Sequence, residues 1–381
     1  MKGYFEFKDG VFHKSVFIGR GTYKKGLSVN GGKFLQEFVI QSGSNFHQEV
    51  KIGGGSFQEF SVFEGTFNEG ITISGGEFKT INFTPKRIDD ASYISKLSLN
   101  TEIKYPIFIK KYPINEIFIS RLNYENGGIY LENLQLNKLI FSSFRNYGKV
   151  SIENLIAKED NSSLQIINSD LGNCLALNAD FNSFHHIVFN NSKLSKLNMY
   201  GVPIPFNSQK IFTNHKQERD HTQLADLYNQ LYLAMQSQGY RDYEMKYYAA
   251  YLENHRLHLN EKNKECSTSI ALCLHKFSTN YSQDWIRGVL LAIPITLVLF
   301  YLYFIALPEY EFAYDPNRWS QVTFNLFTTH YFEFLITPYR MNFIEGTNPG
   351  TFSNIIFIFS RIVIGFFIYQ TIAAFRKFGK K

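Results

Sequence analysis

The residues of this chain that could do chemistry are few and widely spaced. His255 and His258, one helical turn apart, stand upstream of Cys266, Cys273 and His275, and imidazole with thiolate can close a tetrahedral zinc site. Their spacing matches no zinc finger, and buried neutral histidines beside inert thiols account for the same residues, so no metal is assigned. His185 and His186 are neighbours, and adjacent strand residues point to opposite faces, which separates them as ligands. No Gly-x-x-x-x-Gly-Lys phosphate loop, no Gly-x-Ser-x-Gly elbow and no His-Glu-x-x-His helix occurs, and Gly53-Gly54-Gly55-Ser56 reads as the corner of a repeat. The expectation is a non-enzyme with no catalytic residues and no cofactor.

Arg361 is the sharper clue, because it interrupts Phe352 to Phe375, 24 residues with no other charge. Gly288 to Leu307 is a further run of twenty uncharged residues, with Trp285 and Tyr303 suited to its interfaces. At 1.5 Å per residue such runs cross about 30 Å of hydrocarbon, so two transmembrane helices are expected. An arginine inside a span costs about 2.5–3.5 kcal/mol on the insertion scale and faces a bundle interior or water. Asn354, Arg361, Gly365 and Tyr369 fall within about a 100° arc of a 3.6-period helix, so this stripe is expected to line a pore or a subunit interface. The competing reading has Arg361 snorkel to the outer headgroups, or pair with Glu333 or Glu345 as a structural tie.

Between the two runs, Trp319 to Pro338 is too polar for a full span and too apolar for an ordinary loop. A re-entrant pore helix fits, with Thr328, Thr329, His330, Tyr331 and Glu333 as pore-loop candidates, since irregular backbone at membrane depth is tolerated where it lines water. An amphipathic segment lying on the outer surface fits equally. The connection 308–350 holds Glu309, Glu311, Asp315, Glu333 and Glu345 against Arg318 and Arg340, a net charge of −3. Arg287 and the basic tail flank the other ends, so the positive-inside rule places both termini in the cytoplasm.

The N-terminal part is repetitive. Phe12, Tyr23, Phe34, Phe46, Phe57, Phe67 and Phe78 are spaced 11, 11, 12, 11, 10 and 11, most with a glycine two residues before. Alternating pairs such as Val16 and Ile18, Leu27 and Val29, or Ile71 and Ile73 follow each ring, which gives a turn and a strand seven times over. A fixed repeat stacks equivalent residues into ladders, so a solenoid of parallel coils is expected. From 107 to 200 the rhythm loosens, and Thr84-Pro85-Lys86-Arg87 and Tyr105-Pro106 to Tyr112-Pro113 read as interruptions. Residues 218–260 then change period: Leu224, Leu227, Leu231 and Met235 share one helical face, followed after Gly239 by Tyr243, Tyr247, Tyr248, Tyr251 and Leu252. That is a helical hairpin whose tyrosines are better read as a packing seam than as a ligand box.

Composition bounds the rest. The chain has 381 residues, 44% of them hydrophobic, which excludes disorder throughout. Of its +6 formal charge, Arg376, Lys377, Lys380 and Lys381 place +4 in the last six residues, a local anchor and no nucleic-acid face. Cys174, Cys266 and Cys273 are too few for a disulfide framework, and the charged N-terminus is no secretory signal.

Ser169-Asp170-Leu171-Gly172-Asn173 and Ala179-Asp180-Phe181-Asn182-Ser183 resemble the (A/S)-(D/N)-(L/F)-x-x units of pentapeptide-repeat proteins, which build a four-sided right-handed β-helix. The order of parts as a whole is similar to bacterial pentapeptide-repeat proteins with a C-terminal two-helix ion channel domain, related to the pore of potassium channels. Where potassium-selective members carry Thr-Val-Gly-Tyr-Gly, this chain has Thr328-Thr329-His330-Tyr331-Phe332, without either filter glycine, so the resemblance does not carry over potassium selectivity.

The expected fold is multi-domain: a regular 11-residue-repeat β-solenoid over 1–85, a degenerate β-helix over 86–205, a helical hairpin over 206–283 and an α-helical two-span membrane domain over 284–381. The resemblance implies a bacterial inner-membrane protein that conducts ions through a homo-oligomeric pore, a tetramer by that analogy, with the β-helix as sensing or assembly domain. Its expected partners are the lipid bilayer, further copies of itself and a cytoplasmic protein bound by the β-helix, with no nucleic acid. A membrane-anchored solenoid scaffold is the alternative, and a stress or phage-defence effector that depolarises the membrane is a third.

Overall fold

The computed structural model describes residues 5–85, 92–201, 204–205, 209–214, 216–261, 266–307, 321–336 and 349–379, with the backbone alone for 321–327 and 378–379. The chain forms two compact units, Met1–His255 and Arg256–Lys381.

The first unit is a parallel β-solenoid of about nine turns, its strands sorted into two sheets. One column runs through the whole of one sheet in register: Phe5, Leu27, Val50, Ile71, Leu97, Ile117, Leu139, Leu164, Ile187 and Ile211. The opposite sheet stacks Ile18, Ile40, Val62, Phe83, Ile109, Leu131, Ile152, Ala176 and Met199. Strand alternation sends these side chains inward while residues such as Lys51 stay out, so the two columns meet as one continuous apolar core.

The aromatic repeat of eleven turns out to be half a coil. Val11 pairs with Lys33 and Lys33 with Ser56, steps of 22 and 23 residues, so successive rings fall on alternate sheets. Phe12, Phe34, Phe57 and Phe78 stack at centroid distances of 4.7 Å in one ladder. Tyr23, Phe46 and Phe67 stack at 4.5 and 5.2 Å in the other. The spacing follows from the strand separation of about 4.8 Å. The preceding glycines are explained too: at Gly76, φ is +100° and a Cβ would lie 3.0 Å from the Phe78 ring.

Tyr105 to Pro113 is no interruption, because Pro106–Lys110 is a strand whose Ile107 pairs with both Ile81 and Ile129. Proline is admitted there because it is the first residue of the strand, and the neighbouring strand places Gly128 opposite it. Thr84 and Pro85 are described, whereas Lys86 and Arg87 lie outside the described residues. Further along, the recurring asparagines form corners: Asn168, Asn178 and Asn191 adopt φ of 48°, 50° and 45°, the left-handed region that asparagine tolerates. Asp170 and Asp180 accept hydrogen bonds from the Gly172 and Asn182 amides at 2.9 and 3.1 Å, turning the chain while Leu171 and Phe181 are buried.

The last coil is closed by a helix. α1 (His221–Gln238) starts at Asp220, whose carboxylate accepts from the Thr222 amide at 2.8 Å, and ends at Gly239 with φ 75°. Its Leu224, Leu227, Tyr228, Leu231 and Met235 join the solenoid core. Two glutamines satisfy backbone that the final coil leaves open. Gln230 accepts from the Leu194 amide at 2.7 Å and donates to the Ser192 carbonyl at 3.1 Å, and Gln238 does the same for Met199 and Leu197 at 2.9 Å each. α2 (Arg241–Glu261) follows, and its fully buried Tyr247 donates to the Ile204 carbonyl and stacks near Tyr228, so this tyrosine of the seam is core, while Tyr243, Tyr248 and Tyr251 are half-buried.

The second unit contains α3 (Cys266–Thr279), a helix that the sequence reading left inside the hairpin region. It continues through α4 (Trp285–Ile305), α5 (Gln321–Ile336) and α6 (Thr351–Gly379). α4 and α6 are long and apolar enough to cross a membrane.

Candidate functional site

α4 and α6 approach closely because small and hydroxylated residues line their contact. Gly288 is buried, and a Cβ there would lie 2.7 Å from Thr371 Oγ1. At the other end Ser353, fully buried, donates to the Ala306 carbonyl at 2.8 Å. Buried Ser360 turns its hydroxyl back to the Phe357 carbonyl at 2.6 Å, so neither serine leaves a bare polar group in the apolar layer.

α5 docks on this pair through aromatic side chains. Phe334 is fully buried, with its ring 5.2 Å from Phe300, 5.8 Å from Tyr303 and 6.1 Å from Phe357. Tyr331 shares a hydrogen bond of 2.9 Å with Thr296, whose hydroxyl also reaches the Ala292 carbonyl at 2.8 Å, beside Pro294, which lies inside the continuous helix. An apolar cavity of about 370 Å³ lies between Ile293, Thr296, Tyr331, Ile364 and Thr371.

Arg361 projects from α6 into this cluster. Its guanidinium lies 4.3 Å from the centroid of Phe357 and 4.9 Å from that of Phe334. Nε and Nη2, the edge that would fork onto a carboxylate, are buried with no hydrogen-bond partner among the described residues. Among the described residues no ion pair joins Arg361 to Glu333, whose carboxylate instead stands 2.6 Å from His330 Nδ1 one helical turn away. Glu345, the other carboxylate considered, lies outside the described residues.

The stripe of α6 is divided. Asn354 and Arg361 are half-buried, and Asn354 Oδ1 is buried without a partner among the described residues. Among the described residues nothing beyond its own helix backbone and chain neighbours comes within 4 Å of where a Gly365 Cβ would be, and Tyr369 is 68% exposed. Thr328 to Phe332 is α-helical, so in this segment the carbonyls are committed to the helix rather than aimed at an ion. Thr328 and Thr329 are exposed, while His330, Tyr331 and Glu333 are half-buried. The segment after α5, residues 337–348, lies outside the described residues.

Where α3 meets α4 the backbone is unusual. Asn280, Tyr281 and Ser282 adopt φ of 47°, 58° and 66° in succession, a left-handed run that costs about 1–2 kcal/mol per residue. It is held by its surroundings: Tyr281 and Ser282 are buried, the Tyr281 amide donates to the His275 carbonyl, and His275 Nε2 lies 2.9 Å from Ser282 Oγ. Burial, and then the Lys377 ammonium, lower the His275 pKa from its ordinary value, so the ring is neutral at pH 7. The unfolded histidine takes up its proton at higher pH than the folded one. The stabilisation is therefore complete above the ordinary histidine pKa and is lost as the pH falls through the lower, folded value. Acidification below about pH 6 is expected to lower the melting temperature in mild detergent by a few degrees. His275→Gln, which keeps a hydrogen-bonding group without titrating there, should flatten this dependence, and an unchanged pH profile would remove His275 from the joint's stability.

Among the described residues no group of three or more His, Cys, Asp or Glu is placed to hold a metal. Cys266 and Cys273 are exposed on α3, and His255 stacks on Tyr251 at 6.0 Å. His185 precedes its strand, so strand alternation does not separate it from His186, and the two rings lie 4.4 Å apart. Sequence reading also missed a crevice of about 440 Å³ on the solenoid, where the Phe78 end of the ring ladder faces Glu102, Lys104 and Arg121; no motif marks it. Comparison with protein-family models, with curated proteins and with solved structures returns no match to this chain.

Proposed function

We propose that the chain is a membrane-anchored β-solenoid whose helical unit assembles, as a homo-oligomer, into a pore that conducts ions under control of the solenoid. The carrying observation is α5, packed by Phe334 between the two candidate spans and against the Arg361 guanidinium. Its 16 residues reach about 24 Å at 1.5 Å each, short of the thickness of a bilayer core, which suits a helix that enters the membrane and returns. Two spans enclose no aqueous path alone, so conduction requires several copies. On this reading the membrane is a bacterial inner membrane, both termini are cytoplasmic, and the protein performs no catalysis.

The test is flux from liposomes holding the purified full-length protein, under potassium, sodium and chloride gradients. Flux above that of empty liposomes for at least one ion is the expected result. Correctly inserted, oligomeric protein that passes none of the three overturns the pore. A solenoid scaffold fixed to the bilayer would then stand in its place, a reading favoured by the asymmetry of the solenoid: α1 closes the last coil, while among the described residues nothing pairs with the outer edge of the first.

A further inference from the structure

We propose that α3 is an interfacial helix, lying along the headgroup region of an anionic bilayer with Ile270, Leu274 and Phe277 immersed. This rests on the reading that α4 and α6 cross that bilayer. At 100° per residue, Cys266, Ile270, Cys273, Leu274 and Phe277 fall on one side of the helix, and the described structure leaves that side bare. Ile270 is 59% exposed, Leu274 46% and Phe277 47%, three large apolar side chains at i, i+4 and i+7. The opposite side is occupied: Ser278 and Thr279 are fully buried, and His275 is bonded to Ser282, where α3 packs on α4 and α6. Helix α3 therefore cannot rotate its apolar stripe inward without surrendering contacts that already hold it.

What covers the stripe follows from what it adjoins. The left-handed Asn280–Ser282 turn, with Asp284 capping α4 through the Arg287 amide at 3.0 Å, joins α3 directly to the first candidate span. Trp285 opens that span and meets Phe375 of α6 edge-on at 5.7 Å, the kind of aromatic pair that sits at the level of lipid headgroups. The charges described at this joint are Lys276, Arg287, Arg376 and Lys377 against Asp284, an excess of cations that favours anionic lipid. An apolar stripe, a basic flank and a fixed junction to a membrane span together describe a helix on the membrane surface. A second copy of α3 could also cover the stripe, but it would bring the same cations against its own.

The native Cys273 supplies the probe. In Cys266→Ser protein, a maleimide fluorophore reaches Cys273 but not Cys174, whose thiol is buried and pushed up to about 12. The full-length protein is reconstituted in phosphatidylcholine–phosphatidylglycerol vesicles carrying nitroxide lipids labelled near the headgroup or deep in the chain. A second sample carries the fluorophore at Leu290→Cys on exposed α4, with Cys266 and Cys273 both changed to serine. The expected result is a blue-shifted Cys273 probe quenched by the shallow nitroxide more than by the deep one, and a Leu290→Cys probe quenched by the deep one. Ile270→Glu with Phe277→Glu should abolish the shallow quenching and leave the α4 signal in place. An unquenched Cys273 probe beside a quenched α4 probe overturns the proposal while the spans stand, and crosslinking of Cys273 between copies would identify the second copy as the true occupant. If neither probe is quenched, the spans and the interfacial helix fall together.

Discussion

Arg361→Leu is expected to improve insertion of α6 into a bilayer by about 3 kcal/mol, more than a hundredfold in the partition, because arginine at mid-span costs roughly 2.5–3.5 kcal/mol and leucine is slightly favourable. Arg361 is the tenth residue after Thr351, well inside the apolar run, and its Nε and Nη2 donate no hydrogen bond among the described residues. The stacking on Phe334 and Phe357 returns only about 0.5–2 kcal/mol, so the charge is a net expense to the fold. Leucine keeps the apolar contact with both rings, and the variant should melt no lower than the parent in detergent. Its ion flux, if the stripe lines the conducting path, should change in magnitude or selectivity. An insertion assay comparing the two residues checks the first part, and equal insertion would mean that the guanidinium finds partners inside the bilayer.

Phe57→Ala is expected to cost the solenoid about 3–5 kcal/mol, the range for emptying a packed phenylalanine site. The ring is 1% exposed and stacked at 4.7 Å on both Phe34 and Phe78, with Phe38 and Phe60 edge-on at 5.9 and 6.0 Å. Coils above and below cannot move into the void, since their backbones are fixed by the ladder at Ser56 and Phe60. Phe12→Ala is the comparison: this ring is half-buried in the first coil and has one stacked neighbour, so it should cost about a third as much. Denaturant midpoints followed by the β-sheet circular dichroism signal decide it. Equal losses at the two positions would show that neither the deeper burial nor the second stacked neighbour of Phe57 sets the cost.

The ring spacing made the solenoid legible, but it could not reveal that eleven residues make half a coil. Glycine and an aromatic recur at every corner, and the distinction between one sheet and the other is a matter of register, visible only when Phe12 is seen against Phe34 rather than Tyr23. Tyr105 to Pro113 misled because proline punctuates, although at a strand start it breaks no ladder bond. α3 falls in with the hairpin because its apolar residues keep the same helical period, and sequence does not show that Ile270, Leu274 and Phe277 face outward where the hairpin seam faces inward. At the candidate site, the charge of Arg361 marked the position from sequence alone. Its missing hydrogen bonds did not, since they depend on Glu333 being held by His330 on another helix. Thr328 to Phe332 is set against the filter of potassium channels by its place in the chain, and it lacks both filter glycines; the structure has it helical, with Phe334 of the same helix packed between α4 and α6.

The stacked columns also turn the solenoid into a ruler. Every coil adds the same rise, about 4.8 Å, whatever its sequence, so the separation between the first described coil and the α1 lid is counted in whole turns rather than adjusted continuously. An inserted coil of 22 residues, the step from Val11 to Lys33, would move the two ends apart by one such notch while leaving both ends chemically unchanged. Anything held at the far end is thereby carried at a distance that evolution or design can reset by copying a single turn.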